Sequence, residues 1–134
     1  MNLNFKISEL IHSDMAVIHN INNMPDINAL DNILNLIFFI LQPVRDKFGA
    51  IKITSGYRCE KLNKLVNGSP KSNHLKGCAA DIQNPNLQNI YNYIVAYLDY
   101  DECLFETNKN GVKWLHVSYV KGKNRKIHNP NYKA

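Results

Sequence analysis

Three side chains with metal-binding chemistry lie in the second half of the chain. The stretch SNHLKGCAAD, residues 72–81, holds His74 and Asp81 seven positions apart, with glycine and small residues between them. His116 follows in the stretch WLHVSYV. Imidazole and carboxylate groups bind Zn²⁺ at about 2.0–2.2 Å, and a catalytic zinc uses three protein ligands and keeps one position for water. These residues predict a three-ligand zinc site able to activate water for hydrolysis.

The alternation of residues 114–120 indicates a strand with two different faces. Successive side chains of a strand point in opposite directions. Leu115, Val117 and Tyr119 therefore share one face, and Trp114, His116 and Ser118 share the other, more polar one. The remaining histidines lie elsewhere, in predicted N-terminal helices (His12, His19) or in the basic C-terminal segment (His128). His116 is thus the expected third ligand.

Apolar spacing predicts helices in the first part of the chain. Ser8 is expected to cap a helix through ELIHSDMAVIHN, and Pro25 to open a second helix that ends at Gly49, with Pro43 as a potential kink. A spacing of three to four residues predicts that the second helix buries one face. That face is formed by Ile27, Leu30, Leu34, Ile37, Phe38, Leu41 and Val44.

Strands dominate the rest of the chain. Four stretches have strand character: AIKITSGY, AADIQ, DECLFE and WLHVSYV. Between them, CEKLNKLV and NLQNIYNYIVAYL have the pattern of helices, and Ile90, Ile94 and Leu98 form one stripe of the second. Early helices followed by strands predict an α+β fold with a mostly antiparallel sheet, as one domain over residues 1–134.

Composition narrows the class of protein. A chain of 134 residues with 45% hydrophobic and 20% charged residues suits a single soluble domain. The formal charge of +5 favours a polyanionic partner, either nucleic acid or an anionic wall polymer. The basic run in KGKNRKIHNPNYKA is typical of a solvated tail. Aromatic residues do not alternate with lysine and arginine as a nucleic-acid stacking groove requires, so nucleic acid is not the expected partner.

Segments for membrane insertion and disulfide formation are not evident. The longest apolar run, LIFFIL, is shorter than the ~20 residues of a membrane span. The N-terminus MNLNFKISEL lacks the pattern of a signal peptide, which predicts synthesis in the cytoplasm. Three cysteines without a CxxC pair argue against a disulfide framework, and Cys78 is expected to be a small buried side chain and not a ligand.

Three motifs in order carry a resemblance to a known family. They are SGYR at 55–58, S-x-H-x-x-G-x-A-x-D at 72–81 and W-x-H-V-S at 114–118. They resemble the zinc-dependent peptidoglycan peptidases with the hedgehog/DD-peptidase fold, which include D-Ala-D-Ala carboxypeptidases and phage L-Ala-D-Glu endopeptidases. The start, FKISELIHSDMAVIHNIN, looks like that of the short phage-type branch.

The resemblance implies roles for individual residues. His74, Asp81 and His116 would carry Zn²⁺. Arg58 would hold a carboxylate or carbonyl oxygen of a peptidoglycan peptide, and Ser72 would help to position that substrate. Trp114 would either wall the site or belong to the core. We expect a monomer that reaches the cell wall after phage-type release.

The catalytic base is the one departure from the family pattern. Many members place a glutamate three residues before the last histidine, and this position is Lys113 here, which cannot act as a carboxylate base. The candidates are the acidic residues that precede or belong to the third predicted strand: Asp99, Asp101, Glu102 and Glu106.

The length of the turn between the last two predicted strands decides which of these carboxylates can face His116. With a two-residue turn at Asn110 and Gly111, Glu106 would point away from His116. With a three-residue loop, 109–111, and a left-handed Gly111, Glu106 pairs with Trp114 on the face of His116. We predict the second register and Glu106 as the base, with Glu102, opposite Ser118, as the alternative.

Two other functions remain open from the sequence. The first is a non-catalytic, zinc-stabilised wall-binding or structural phage module on the same fold. The second is a basic nucleic-acid-binding domain. Zinc binding without cleavage would identify the first, and salt-dependent DNA affinity the second.

Overall fold

The computed structural model describes residues 3–129. Its helices are α1 (Ile7–Ile11), α2 (Asp14–Ile18), α3 (Ile27–Leu36), α4 (Gln42–Phe48), α5 (Glu60–Leu65) and α6 (Leu87–Tyr97), with a π-helical turn at Ile37–Leu41 and a 3-10 turn at Asn73–Lys76. Its strands are β1 (Lys52–Ser55), β2 (Ala79–Gln83), β3 (Glu102–Thr107), β4 (Lys113–Ser118) and β5 (Ile127–His128).

The strands form one mixed sheet in the order β1-β2-β4-β3-β5. All neighbouring pairs are antiparallel except β3 and β5. One face of the sheet packs against the helices, where Ile82, Leu115 and Val117 join Ile90 and Ile94 of α6 in the core. The predicted α+β class and the mostly antiparallel sheet are confirmed.

The N-terminal helix is shorter than predicted, because the chain turns at His12. His12 has an extended conformation, with ψ of 137°, and separates α1 from α2. Ser13, and not Ser8, provides the cap: its hydroxyl accepts a hydrogen bond from the amide of Ala16 at 3.1 Å. A cap of this kind favours a new helix start over continuation.

The long helix Ile27–Phe48 is continuous through Pro43 and ends at Gly49, whose φ is 84°. Its buried face agrees with the predicted one only in part: Ile37, Leu41 and Val44 are buried, whereas Ile27, Leu34 and Phe38 are 81%, 44% and 45% exposed. The buried apolar residues are Ala29, Ile33, Leu36, Ile37, Ile40, Leu41 and Val44.

Close contact with the loop before β2 selects this face. Gly77 has a φ of 75°, and a Cβ there would clash with the carbonyl oxygen of Ala29. Asn32 donates a hydrogen bond from its side-chain amide to the carbonyl of Lys76 at 2.9 Å. Small residues at the contact let α3 support the 3-10 turn that carries His74.

The same helix is long and apolar enough to cross a membrane by length and composition alone. One such helix is weak evidence for a membrane-spanning segment, since the core helix of a soluble protein meets the same criterion. Here 44% of its most apolar window is buried inside the protein. Its buried side chains form a large part of the core beneath the sheet.

The hairpin of β3 and β4 has the register predicted from its loop. Glu106 pairs with Trp114, and Glu102 pairs with Ser118. The amide of Asn108 donates to the carbonyl of Val112 at 3.1 Å, which closes a three-residue loop, 109–111. Gly111 has a φ of 80°, the left-handed conformation that this loop requires.

Candidate metal centre

His74, Asp81 and His116 converge on the sheet face opposite the core. Their ligand atoms all lie within 4.8 Å of one another. Asp81 on β2 pairs directly with His116 on β4, so the sheet register brings these two together. His74 reaches them from the 3-10 turn, with its Nε2 3.3 Å from Asp81 Oδ1. Two histidines and one carboxylate at this spacing form a donor set suited to Zn²⁺.

The ring of His74 is held in one orientation by the backbone. Its Nδ1 lies 2.7 Å from the carbonyl oxygen of Gly56, which can only accept a hydrogen bond. Nδ1 therefore carries the proton, and Nε2 is left free to bind a metal. The hydroxyl of Ser72 accepts a hydrogen bond from the amide of His74 at 3.1 Å, which caps the 3-10 turn.

His116 is 8% exposed and lies between two carboxylates. Its Nδ1 is 3.0 Å from Asp81 Oδ1, and its Nε2 is 3.0 Å from Glu102 Oε1. Burial alone would lower the pKa of His116, but the hydrogen bonds to Asp81 and Glu102 outweigh it and raise that pKa to about 10. Although burial opposes it, hydrogen bonds from both histidines keep the pKa of Asp81 below its usual range. A metal bound at Nδ1 would take the place of the proton that His116 shares with Asp81.

Glu106 lies on the ligand face, at the exposed edge of the site. Its Oε1 is 3.9 Å from His116 Nδ1 and accepts a hydrogen bond from the indole Nε1 of Trp114 at 2.9 Å. Trp114 is half-buried and walls the site, so it is not a core side chain. Its indole N–H fixes one oxygen of the Glu106 carboxylate, and both side chains line the cavity that holds the three ligands.

The other acidic candidates are placed differently. Asp99 is 75% exposed and lies 3.9 Å from Lys126. Asp101 is buried and paired with Arg125 at 2.8 Å. Glu102 contacts His116 on the nitrogen that faces away from Asp81. Of the four, Glu106 is the carboxylate on the Nδ1 side of His116.

Arg58 and Ser72 share the cavity with the three ligands, within a volume of about 540 Å³. Arg58 Nη2 donates to the Ser72 hydroxyl at 3.3 Å, and its buried Nε has no hydrogen-bond partner among residues 3–129. Burial lowers the pKa of Arg58, while Asp81 and Glu106 act to raise it. A guanidinium keeps its charge in such a setting, so it presents a cation beside the metal ligands.

Comparison with known proteins gives a match over nearly the whole described chain. The family model for peptidase M15 matches residues 3–118, which include all three ligands, Arg58 and Glu106. The chain belongs to the peptidase M15 family. No curated protein matches it.

M15 membership agrees with the side chains of the site. M15 peptidases are zinc peptidases, D-Ala-D-Ala carboxypeptidases among them, that act on bacterial peptidoglycan. The His-Asp-His group of this M15 domain offers the donors that such a zinc requires. Its three cysteines are free thiols, and Cys78 is buried, where burial raises the pKa of its thiol to about 11.

Polar residues behind the ligands were not identified from the sequence. Asn73, next to His74, donates from its side-chain amide to Asp101 at 2.9 Å and to Glu102 at 2.8 Å. Arg125 reaches Asp101 from the segment after β4, with its Nε and Nη2 at 2.9 and 2.8 Å from the two carboxylate oxygens. The sequence had marked Asp101 and Glu102 as candidate bases, and the position of Asn73 beside a ligand was the only signal for the other residues of this network.

Replacing Arg125 with alanine should destabilise the M15 domain by about 2–3 kcal/mol at pH 7, because the buried, charged Asp101 would lose its cationic partner and keep only neutral hydrogen-bond donors. Although burial opposes it, the hydrogen bonds from Arg125 hold the pKa of Asp101 below its usual value. That stability is present above the ordinary aspartate pKa of about 4 and is lost as the pH falls through the lower folded pKa.

Urea unfolding of wild type and Arg125→Ala between pH 7 and 3 measures this difference. The difference in unfolding free energy between wild type and Arg125→Ala should become smaller as the pH falls toward 3. Lys123→Ala, which removes an exposed cation of the same segment, is the matched control. A loss of unfolding free energy in Arg125→Ala that does not change with pH would contradict the role of the ion pair.

Proposed function

We propose that the protein is a zinc-dependent peptidase that hydrolyses peptide bonds in the stem peptides of bacterial peptidoglycan. The observation that carries the proposal is the convergence of His74, Asp81 and His116 in one cavity with Glu106 on the Nδ1 side of His116. A base and a cationic Arg58 beside the ligands supply what amide hydrolysis requires in addition to a metal.

The metal ligands, Glu106 and Trp114 have different roles in the proposed hydrolysis. When bound, zinc supplies Lewis acidity that activates water and polarises the scissile carbonyl. His74, Asp81 and His116 would hold it. Glu106 takes the proton of the attacking water at Oε2, while Trp114 holds Oε1 in place. The same carboxyl group then returns the proton to the leaving amine.

Arg58 holds a substrate oxygen. Its position beside the ligands suits either a terminal carboxylate or the oxyanion that develops during attack, and its planar fork can make two parallel hydrogen bonds. Ser72, which accepts from Arg58, holds the guanidinium toward the cavity and helps to position the substrate through it.

Replacing Arg58 with lysine should lower kcat/KM roughly 5- to 150-fold, which corresponds to about 1–3 kcal/mol of transition-state stabilisation. Lysine keeps the positive charge but lacks the two parallel hydrogen-bond donors of the guanidinium. Steady-state kinetics on a synthetic stem peptide measures the effect. Arg45→Lys on α4 is the control for a general effect of arginine loss. Unchanged kinetics in Arg58→Lys would contradict the binding of a substrate oxygen by Arg58 and leave it with a structural role.

The bond that is cut defines the type of peptidase. Release of C-terminal D-Ala from purified peptidoglycan indicates a D-Ala-D-Ala carboxypeptidase, and new amino termini on D-Glu indicate an L-Ala-D-Glu endopeptidase. Mass spectrometry of the digest separates the two. We propose that the enzyme acts on the wall as a monomer after phage-type release, with no nucleic-acid partner, and the net charge of +5 suits an anionic polymer.

A non-catalytic module on this fold is the second candidate. Lys113 favours it, since a lysine stands where many relatives carry the catalytic glutamate. If Glu106 does not replace that base, the protein would bind zinc and wall peptide without cleaving it. Stoichiometric zinc together with an unchanged peptidoglycan digest identifies this case.

A further inference from the structure

Glu102 contacts His116 at the ring nitrogen that faces away from Asp81. Its Oε1 lies 3.0 Å from Nε2 of His116, whereas Nδ1 of the same ring faces Asp81 at 3.0 Å. With Nδ1 as the metal-binding nitrogen, Nε2 carries the ring proton and donates it to Glu102. A carboxylate behind a histidine ligand in this way fixes the tautomer and ring orientation and makes the ligand more basic.

Other donors already occupy the same oxygen of Glu102. The side-chain amide of Asn73 donates to Oε1 at 2.8 Å, and the hydroxyl of Ser118 donates to it at 3.2 Å. The pairing of Glu102 with Ser118 across β3 and β4 places these two side chains on the same face. An oxygen that accepts from three donors is poorly able to take a proton from water.

The other oxygen of Glu102 lies beside a charged group. Oε2 is 3.7 Å from Nη2 of Arg125, which is bound at the same time to the buried Asp101. Asn73 links Asp101 to Glu102, and it is the residue directly before His74. This hydrogen-bonded network therefore contacts His116 through Glu102 and is joined to His74 through the backbone of Asn73.

We propose that Glu102 is a positioning residue for the metal: it holds His116 with Nδ1 toward Asp81, and the network of Asn73, Ser118, Asp101 and Arg125 holds Glu102. The proposal rests on the zinc site of the proposed function. It gives Glu102 a role different from that of Glu106, which accepts a hydrogen bond from the indole of Trp114 and lies on the Nδ1 side of His116.

Metal affinity measured without substrate tests this assignment. Competition with a chromogenic chelator should show that Glu102→Ala binds zinc and cobalt about 10- to 100-fold more weakly than wild type. Glu102→Gln keeps an acceptor for Nε2 and should recover most of that loss. Asp99→Ala removes an exposed carboxylate one element away and is the control. Wild-type affinity in Glu102→Ala would overturn the proposal.

A spectroscopic measurement reports the ring orientation directly. In protein loaded with ¹¹³Cd and labelled with ¹⁵N-histidine, scalar coupling should join the metal to Nδ1 of His116 and to Nε2 of His74. Coupling to Nε2 of His116 in the wild type would overturn the proposal. If Glu102→Ala does not fold, Asn73→Ala serves instead, because it removes a donor that fixes Glu102 and should weaken metal binding in the same direction.

Turnover at saturating zinc separates a positioning residue from a base. Glu102→Ala should regain most of its activity when zinc is raised above its weakened Kd. A loss at full occupancy as large as that of Glu106→Ala would make Glu102 the base and overturn the proposal. The affinity and NMR measurements need no turnover, so an inactive wild type would refute the proposed function and still leave the role of Glu102 decided.

Discussion

Replacing His116 with alanine should abolish both zinc binding and turnover. The reason is geometric: His116 Nδ1 and Asp81 Oδ1 lie 3.0 Å apart on paired strands, and no other histidine among residues 3–129 lies in the cluster with His74. Two remaining ligands bind zinc too weakly to keep it at equilibrium with a chelator. Metal analysis after dialysis should find zinc in the wild type and essentially none in His116→Ala, and hydrolysis of peptidoglycan should fall to background.

The same experiment extends to the other ligands and to the metal itself. Chelation should inactivate the wild-type protein, and added zinc should restore it. His12→Ala is the matched control, because His12 is an exposed histidine paired with Asp14 outside the cavity. Stoichiometric zinc in the variant with alanine at 74, 81 and 116 would contradict the ligand assignment.

Replacing Glu106 with alanine should leave zinc content and folding intact and lower kcat by about 100- to 10,000-fold, since a positioned base contributes this much. The side chain of Glu106 is 41% exposed and lies at the edge of the cavity, so its removal should cost little stability. Circular dichroism and metal analysis establish that the variant is folded and loaded.

Two further variants show whether the proton-accepting group itself is required. Glu106→Gln keeps an acceptor for the indole of Trp114 and loses only the ability to take a proton, so it should be about as inactive as Glu106→Ala. Glu60→Gln, an exposed glutamate of α5, is the control. Near-normal turnover in Glu106→Gln would remove Glu106 from the mechanism.

The sequence by itself determined the features that depend on local geometry. Side chains alternate strictly along a strand, so the pattern of residues 114–120 was enough to place His116 and Trp114 on one face. A glycine at 111 tolerates a left-handed conformation, which fixed the three-residue loop and therefore the pairing of Glu106 with Trp114. The motif spacing singled out three residues that do meet in the fold.

Only the tertiary structure decided the features that depend on contacts between distant segments. The buried face of α3 was wrong in the prediction because apolar residues occur on several sides of that helix, and the close contact of Ala29 with Gly77 selects one. The contacts of Asn73 with Glu102 and of Arg125 with Asp101 join side chains 29 and 24 positions apart. No period or local propensity encodes such pairs, since they form only when packing of the sheet and the segment after β4 brings them together.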